Sequence, residues 1–174
     1  MDFKKIEIIE RSSSLSVGDF IKEKPFLVFH LQDTLYDIVN EMRETHNYAA
    51  LITDKNKLVG IVTEHRIFLY LLSWLSEHFQ SVERLTNAFN VLKAGDIMIT
   101  NPFTINSETS IEDAFQEVTE KGFHYMPVVE NNVPVGILDR VEISHYMVEK
   151  DRKELESKDM ILSYLMHHEN YGCL

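Results

Sequence analysis

The chain has 174 residues, 44% of them hydrophobic, and a formal net charge of -11 with histidine neutral, which is long enough to bury one core or two small ones. So acidic a chain excludes nucleic-acid binding and adhesion to anionic lipid, because lysines and arginines that neutralise phosphates supply most of that affinity. Cys173, the only cysteine, reads as a bystander thiol in a reducing compartment, and the residues after Met1 contain no apolar signal stretch, so a cytoplasmic protein is expected.

Residues 1 to 14 read as an N-terminal arm ending in Ser12-Ser13-Ser14. Val17-Gly18-Asp19-Phe20-Ile21 with Pro25-Phe26 comes next, and it returns as Ala94-Gly95-Asp96-Ile97-Met98 with Pro102-Phe103, an offset of 77 (95 minus 18). Further on, Leu35, Asp37 and Val59-Gly60-Ile61 return as Ile111, Asp113 and Val135-Gly136-Ile137 at an offset of 76 (136 minus 60). An internal repeat of this length makes each copy one structural unit, with a one-residue change in the loop before the first helix.

Thr34 and Ser110 stand three residues before Asp37 and Asp113, the spacing of a capping box. Helices should start there, with Leu35, Ile38, Val39 and Met42, and Ile111, Ala114, Phe115 and Val118, on one face toward a sheet. Two strands follow in each copy, 49 to 53 then 58 to 62, and 126 to 130 then 133 to 138. Asp54-Lys55-Asn56-Lys57 and Asn131-Asn132 supply the hairpin turns. A second helix begins after Thr63 and again after Asp139.

Residues 76 to 91 form a connection with its own helix around Val82 to Phe89, and the chain ends in a helical tail with a charge-dense middle, 149 to 159. The run Ile67 to Leu75 is far shorter than the roughly 20 residues that span a bilayer, so no membrane partner is expected. Phe68, Leu72 and Trp74 belong to a helix that is apolar on nearly every side and must be covered on more than one of them. Self-association is the expected use, with packing under the inserted helix as the alternative.

In order and duplication these motifs resemble a tandem cystathionine-β-synthase (CBS) domain pair, a stand-alone Bateman module, over residues 15 to 150. The resemblance implies an α/β fold of two pseudo-symmetric β-α-β-β-α units, 15 to 75 and 92 to 150, packed through their sheets. The inserted helical connection 76 to 91 lies between them and the helical extension 151 to 174 follows. It implies a non-catalytic regulatory module and a homodimer that signals to a protein partner. It also implies an adenosine-containing ligand (AMP, ADP, ATP or S-adenosylmethionine) in clefts between the units, with no required cofactor.

The family's signature, Gly-h-x-Thr/Ser-x-x-Asp with h hydrophobic, is altered in both copies. Gly60-Ile61-Val62-Thr63-Glu64-His65-Arg66 keeps the hydroxyl and puts Arg66 at the Asp position, whereas Gly136-Ile137-Leu138-Asp139-Arg140-Val141-Glu142 puts Asp139 at the hydroxyl position. The resemblance carries ligand binding onto Thr63, Arg66, Asp139 and Glu142, onto Tyr48 and His124 before the hairpins, and onto Val28 and Ile105 in the early strand. Thr63 with Arg66, His65 and His46 suits an anion at a helix N-terminus, or is simply a helix cap. Asp139 with Glu142 is either a capping pair or a phosphate-excluding wall, since two like charges at about 4 Å repel by roughly 4 kcal/mol at an effective dielectric near 20. His124 and Arg140 would offset part of that.

A ligand-free structural or protein-interaction module, in which both signatures are only caps, is the competing reading. Asp139, Glu142 and His145 drift around the helix axis and His167-His168-Glu169 lies in the tail, so no metal site is expected. No Ser-His-Asp or Cys-His arrangement, Gly-rich phosphate loop or HExxH motif is present, and no catalytic residue is assigned.

Overall fold

In the computed structural model, which describes residues 14–78 and 89–168, each expected capping residue starts its helix. Thr34 Oγ1 accepts from the Asp37 amide at 3.1 Å while the Asp37 carboxylate accepts from the Thr34 amide at 3.3 Å. Ser110 Oγ likewise accepts from the Asp113 amide at 3.1 Å. The elements in chain order are α1 (Val17–Ile21), β1 (Leu27–His30), α2 (Leu35–Thr45), β2 (Ala49–Asp54), β3 (Lys57–Thr63) and α3 (Glu64–His78), then α4 (Ala94–Ile97), β4 (Ile99–Thr100), β5 (Ile105–Asn106), α5 (Ile111–Lys121), β6 (Tyr125–Glu130), β7 (Val133–Asp139) and α6 (Arg140–His168). The expected helix around Val82 to Phe89 lies outside the described residues except for its end, and residues 89–91 are helical.

The two sheets run β1-β2-β3-β4 and β5-β6-β7. In each, a parallel first pair is followed by an antiparallel hairpin. The hairpin turns place Lys55 (φ 49°) and Asn56 (φ 62°), and Asn131 (φ 51°) and Asn132 (φ 65°), in the left-handed region. Two consecutive positive φ values define the type I′ turn, whose twist matches that of the flanking strands. Ile52 pairs with Gly60 and Val128 with Gly136, so the hairpins share one register at the offset of 76.

The register places the one-residue change earlier than the sequence comparison does. Phe29 pairs with Ile52 and Ile105 with Val128, which makes Ile105 the counterpart of Phe29 and not of Val28. A slip of one residue turns a strand side chain to the opposite face. Val28 is accordingly 46% exposed and Ile105 3% exposed.

Each short helix that opens a copy packs on the other copy. Val17 and Ile21 of α1 are buried with Ile105, Ile111, Val128 and Leu138, and Ala94 and Ile97 of α4 are buried with Leu27, Leu35, Ile52 and Val62. Backbone bonds fix the exchange: Gly18 N donates to Ser107 O at 2.8 Å, and Gly95 N to Leu31 O at 3.1 Å. Gly60 and Gly136 make room for it, because a Cβ on Gly60 would collide with the Met98 side chain and one on Gly136 with Ile21. A third cluster, Ala49, Leu51, Leu58 and Ile61 with Phe26, Tyr125, Val129 and Ile137, lies between the sheets.

After Asp139 the chain forms one unbroken helix through His168, so the second helix of the later copy and the expected tail are a single element. Every residue from 151 to 160 is exposed. Among the described residues no helix is long and apolar enough to cross a membrane.

Candidate ligand clefts

Strands β3 and β7 each run directly into a helix, and the two junctions form the floors of two clefts. The first cleft is lined by Ile61, Thr63, Glu64 and His65 at the β3–α3 junction, by Ile99, Asn101, Pro102 and Phe103, and by residues 122–125, enclosing about 500 Å³. The second is lined by Ile137, Asp139 and Glu142 at the β7–α6 junction, by Lys24 and Pro25, and by residues 46–49, enclosing about 220 Å³. The segments 46–49 and 122–125 are related by the repeat (122 minus 46 is 76). Each cleft therefore takes its floor from one copy and a wall from the other.

This crossing regroups the candidate residues. Thr63 shares a cleft with His124, and Asp139 and Glu142 share the other with Tyr48. His46, expected beside Thr63, lines the Asp139 cleft, and His124, expected to relieve Asp139, lines the Thr63 cleft. Val28, Ile105 and Arg66 line neither. The Arg66 Nε donates to Ile97 O at 2.8 Å and its amide donates to Thr63 Oγ1 at 3.2 Å, so Arg66 ties α3 to the exchanged helix α4.

Arg140 is a cation set against His124, a lining residue of the Thr63 cleft. Its amide donates to His124 O at 2.9 Å, and its Nη2 lies 3.1 Å from His124 Nε2. The repeat places Glu64 at the equivalent position, where its amide donates to Tyr48 O at 3.0 Å. On the same cleft, Phe103 and Phe123 stack at 6.1 Å, with Lys121 Nζ 4.1 Å from the Phe103 ring centre. Phe123 and Lys121 escape the motif-based reading because their chemistry comes from tertiary placement, and Arg140, expected to relieve Asp139, is found against His124 on the Thr63 cleft.

In the Asp139 cleft the helix N-terminus already holds an anion. Asp139 Oδ1 accepts from the Val141 amide at 2.6 Å and faces the Glu142 amide at 3.4 Å, the place a ligand's phosphate would otherwise take. Glu142 is paired with Lys24 at 2.6 Å. Burial, with Asp139, Glu64 and Tyr48 around it, pushes the Tyr125 phenol up to about 12, so its hydroxyl keeps its proton. A further cavity of about 530 Å³, lined among others by Ser16, Asp19, Ser107 and Glu130, contains none of the candidate residues. Among the described residues, Asp139, Glu142 and His145 do not assemble into a metal-holding group.

Comparison with known proteins matches the CBS domain family model twice, at residues 17–73 and 94–149. The mitochondrial CBS domain-containing protein CBSX3 of Arabidopsis thaliana is 24% identical over 155 residues, which cover 82% of this chain and 69% of that protein. An uncharacterized protein of Methanocaldococcus jannaschii, MJ0188, is 26% identical over 83% of this chain and 49% of its own length. The chain thus spans about half of the second relative, and it spans 18% of the Arabidopsis protein CBSCBSPB1.

Among solved structures, the CBS domain of a CBS domain-containing membrane protein from Sphaerobacter thermophilus superposes with a TM-score of 0.64 at 26% identity, covering 81% of this chain and 93% of that one. CBSX2 of Arabidopsis thaliana in complex with AMP gives 0.61 at 24% identity, with 78% and 98% covered. The CBS domain pair of MJ0100 with 5′-methylthioadenosine and S-adenosyl-L-methionine gives 0.61 at 22% identity, with 79% and 98% covered. The last two likenesses speak to the fold.

Proposed function

Because the chain belongs to the CBS domain family and carries two CBS domains in tandem, we propose that it is a non-catalytic regulatory module that senses a small adenosine-containing metabolite and signals through a homodimer to a protein partner in the cytoplasm. The observation that carries this reading is the pair of repeat-related clefts, each set at a strand-to-helix junction. The Thr63 cleft, at about 500 Å³, is of the size that small-molecule sites have, about 300–1,000 Å³. CBSX2 with AMP and MJ0100 with adenosine derivatives support the choice of ligand class.

The two clefts differ in what they accept. His124, which lines the first cleft with Arg140 against its ring, suits that cleft to an adenosine ligand with an anionic group, whereas Asp139 suits the second to a nucleoside or to cationic S-adenosylmethionine. Phe68, Leu69 and Leu72 on α3 are 61%, 44% and 54% exposed, a patch that a second copy of the chain would cover. The side chain of Trp74, expected to join them, lies outside the described residues.

A thermal-shift panel with AMP, ADP, ATP, NAD, adenosine and S-adenosylmethionine tests the reading, since selective binding to the folded state raises apparent stability. Saturable stabilisation by one or two of these is expected, and light scattering should give twice the chain mass. A flat panel at millimolar ligand would favour the ligand-free interaction module, a reading that the cap role of Asp139 also supports.

A further inference from the structure

We propose that Tyr125 couples the two clefts, so that a ligand held in either one weakens binding in the other; the inference rests on the reading of both clefts as ligand sites. Tyr125 is the one residue, among those described, that lines both clefts. Its repeat counterpart, Ala49, is buried and lines only the Asp139 cleft. The repeat is broken at this position by an aromatic ring large enough to serve as a wall on two sides.

The ring cannot retreat from both. It packs against the cluster between the sheets that includes Leu51, Ile61 and Ile137, and such packing leaves little slack to absorb a displaced ring. Space gained for a ligand in the Thr63 cleft is therefore taken from the Asp139 cleft, which is the smaller of the two at about 220 Å³ against about 500 Å³. The coupling is negative, and it is reciprocal, because linkage makes each ligand change the other's affinity by the same factor.

The test is calorimetric titration of the full chain with AMP and with S-adenosylmethionine, each alone and each with the other saturating. The expected result is two ligands bound per chain, with each affinity lowered about fivefold or more by the other ligand, a typical coupling strength. In Tyr125→Ala that factor should fall to about one, whatever each affinity becomes, while Tyr125→Phe, which keeps the ring, should retain it. Tyr125→Leu serves in place of the alanine variant if that chain does not fold.

Two sites with affinities independent of each other overturn the coupling and leave the sensing reading in place. A single shared equivalent in both wild type and Tyr125→Ala overturns the coupling as well, as does loss of the factor in Tyr125→Phe. No binding of either ligand overturns both the coupling and the sensing reading.

Discussion

Asp139 and Thr63 hold repeat-related positions, and the difference between them is one charge at a helix N-terminus. The Asp139 carboxylate already accepts from the amide of Val141 at 2.6 Å, so a phosphate arriving there meets a filled donor and a like charge. The uncompensated repulsion is roughly 4 kcal/mol at about 4 Å. Lys24, paired with Glu142, and His46 in the same cleft reduce it, as does salt. Asp139→Thr restores a hydroxyl that still caps α6, and its AMP affinity in calorimetry should rise about tenfold, or about 1.4 kcal/mol. Asp139→Ala removes the cap and should lower unfolding free energy by about 1 kcal/mol in a denaturant titration. The charge argument fails if AMP already binds tightly at this cleft in the wild type or binds more weakly to Asp139→Thr.

At the scale of elements, α6 runs from a start anchored in the core by Ile143 into a stretch, residues 151 to 160, that is exposed throughout. Tyr146 meets the Phe20 ring edge-on at 5.4 Å, Glu142 pairs with Lys24, and Lys150 pairs with Glu112 on α5. Hydrogen bonds from Lys150, then from Ser14, hold the Glu112 carboxyl down at about 2, from an ordinary 4.5. A depressed carboxylate contributes stability that is fully present above its unfolded value and is lost as pH falls through the folded one. The clamp should therefore weaken between pH 4.5 and about 2. Over that window the wild type should lose stability relative to Glu112→Gln in urea melts; parallel pH profiles would show that the contact contributes nothing. The pair is partly exposed, so the effect should be small and diminish with added salt.

Element by element, what the sequence shows is what local chemistry determines. The capping residues Thr34 and Ser110, the helical faces behind them and the Lys55-Asn56 and Asn131-Asn132 turns are legible because each depends on neighbours within four residues. Strand β4 is not, since Ile99 and Thr100 are both exposed and two residues have no periodicity. The place of the one-residue change is not legible for a related reason: a change in a loop leaves no local mark on which side of it the strand begins, and only the pairing of Phe29 with Ile52 and of Ile105 with Val128 fixes it. Of the residues expected at the site, Tyr48, Thr63, His124, Asp139 and Glu142 line the clefts and Val28, Arg66 and Ile105 do not, and the division into two groups is not legible at all. Only the crossing of the copies brings Thr63 to His124 and Asp139 to Tyr48.

Over the whole molecule, the exchange of α1 and α4 should make the two repeats one folding unit. The core around β5, β6 and β7 lacks Val17 and Ile21 unless the start of the chain is present, and the core around β1, β2 and β3 lacks Ala94 and Ile97 unless the second copy is. The turns also join, with Leu58 N donating to Asn132 O at 3.0 Å and Lys57 Nζ to Asn131 O at 2.7 Å. Ile21→Ala, which cuts into the core of the second sheet, should cost about 2–5 kcal/mol. The informative readout is where that loss appears. Trp74, the only tryptophan in the sequence, falls within helix α3 of the first copy, whereas Ile21 packs into the core of the second. In a single cooperative unit, the fluorescence midpoint in denaturant shifts together with the far-ultraviolet circular dichroism midpoint. If Ile21→Ala leaves the Trp74 transition in place while the dichroism curve splits in two, the halves fold independently and the exchanged helices do not bind them into one.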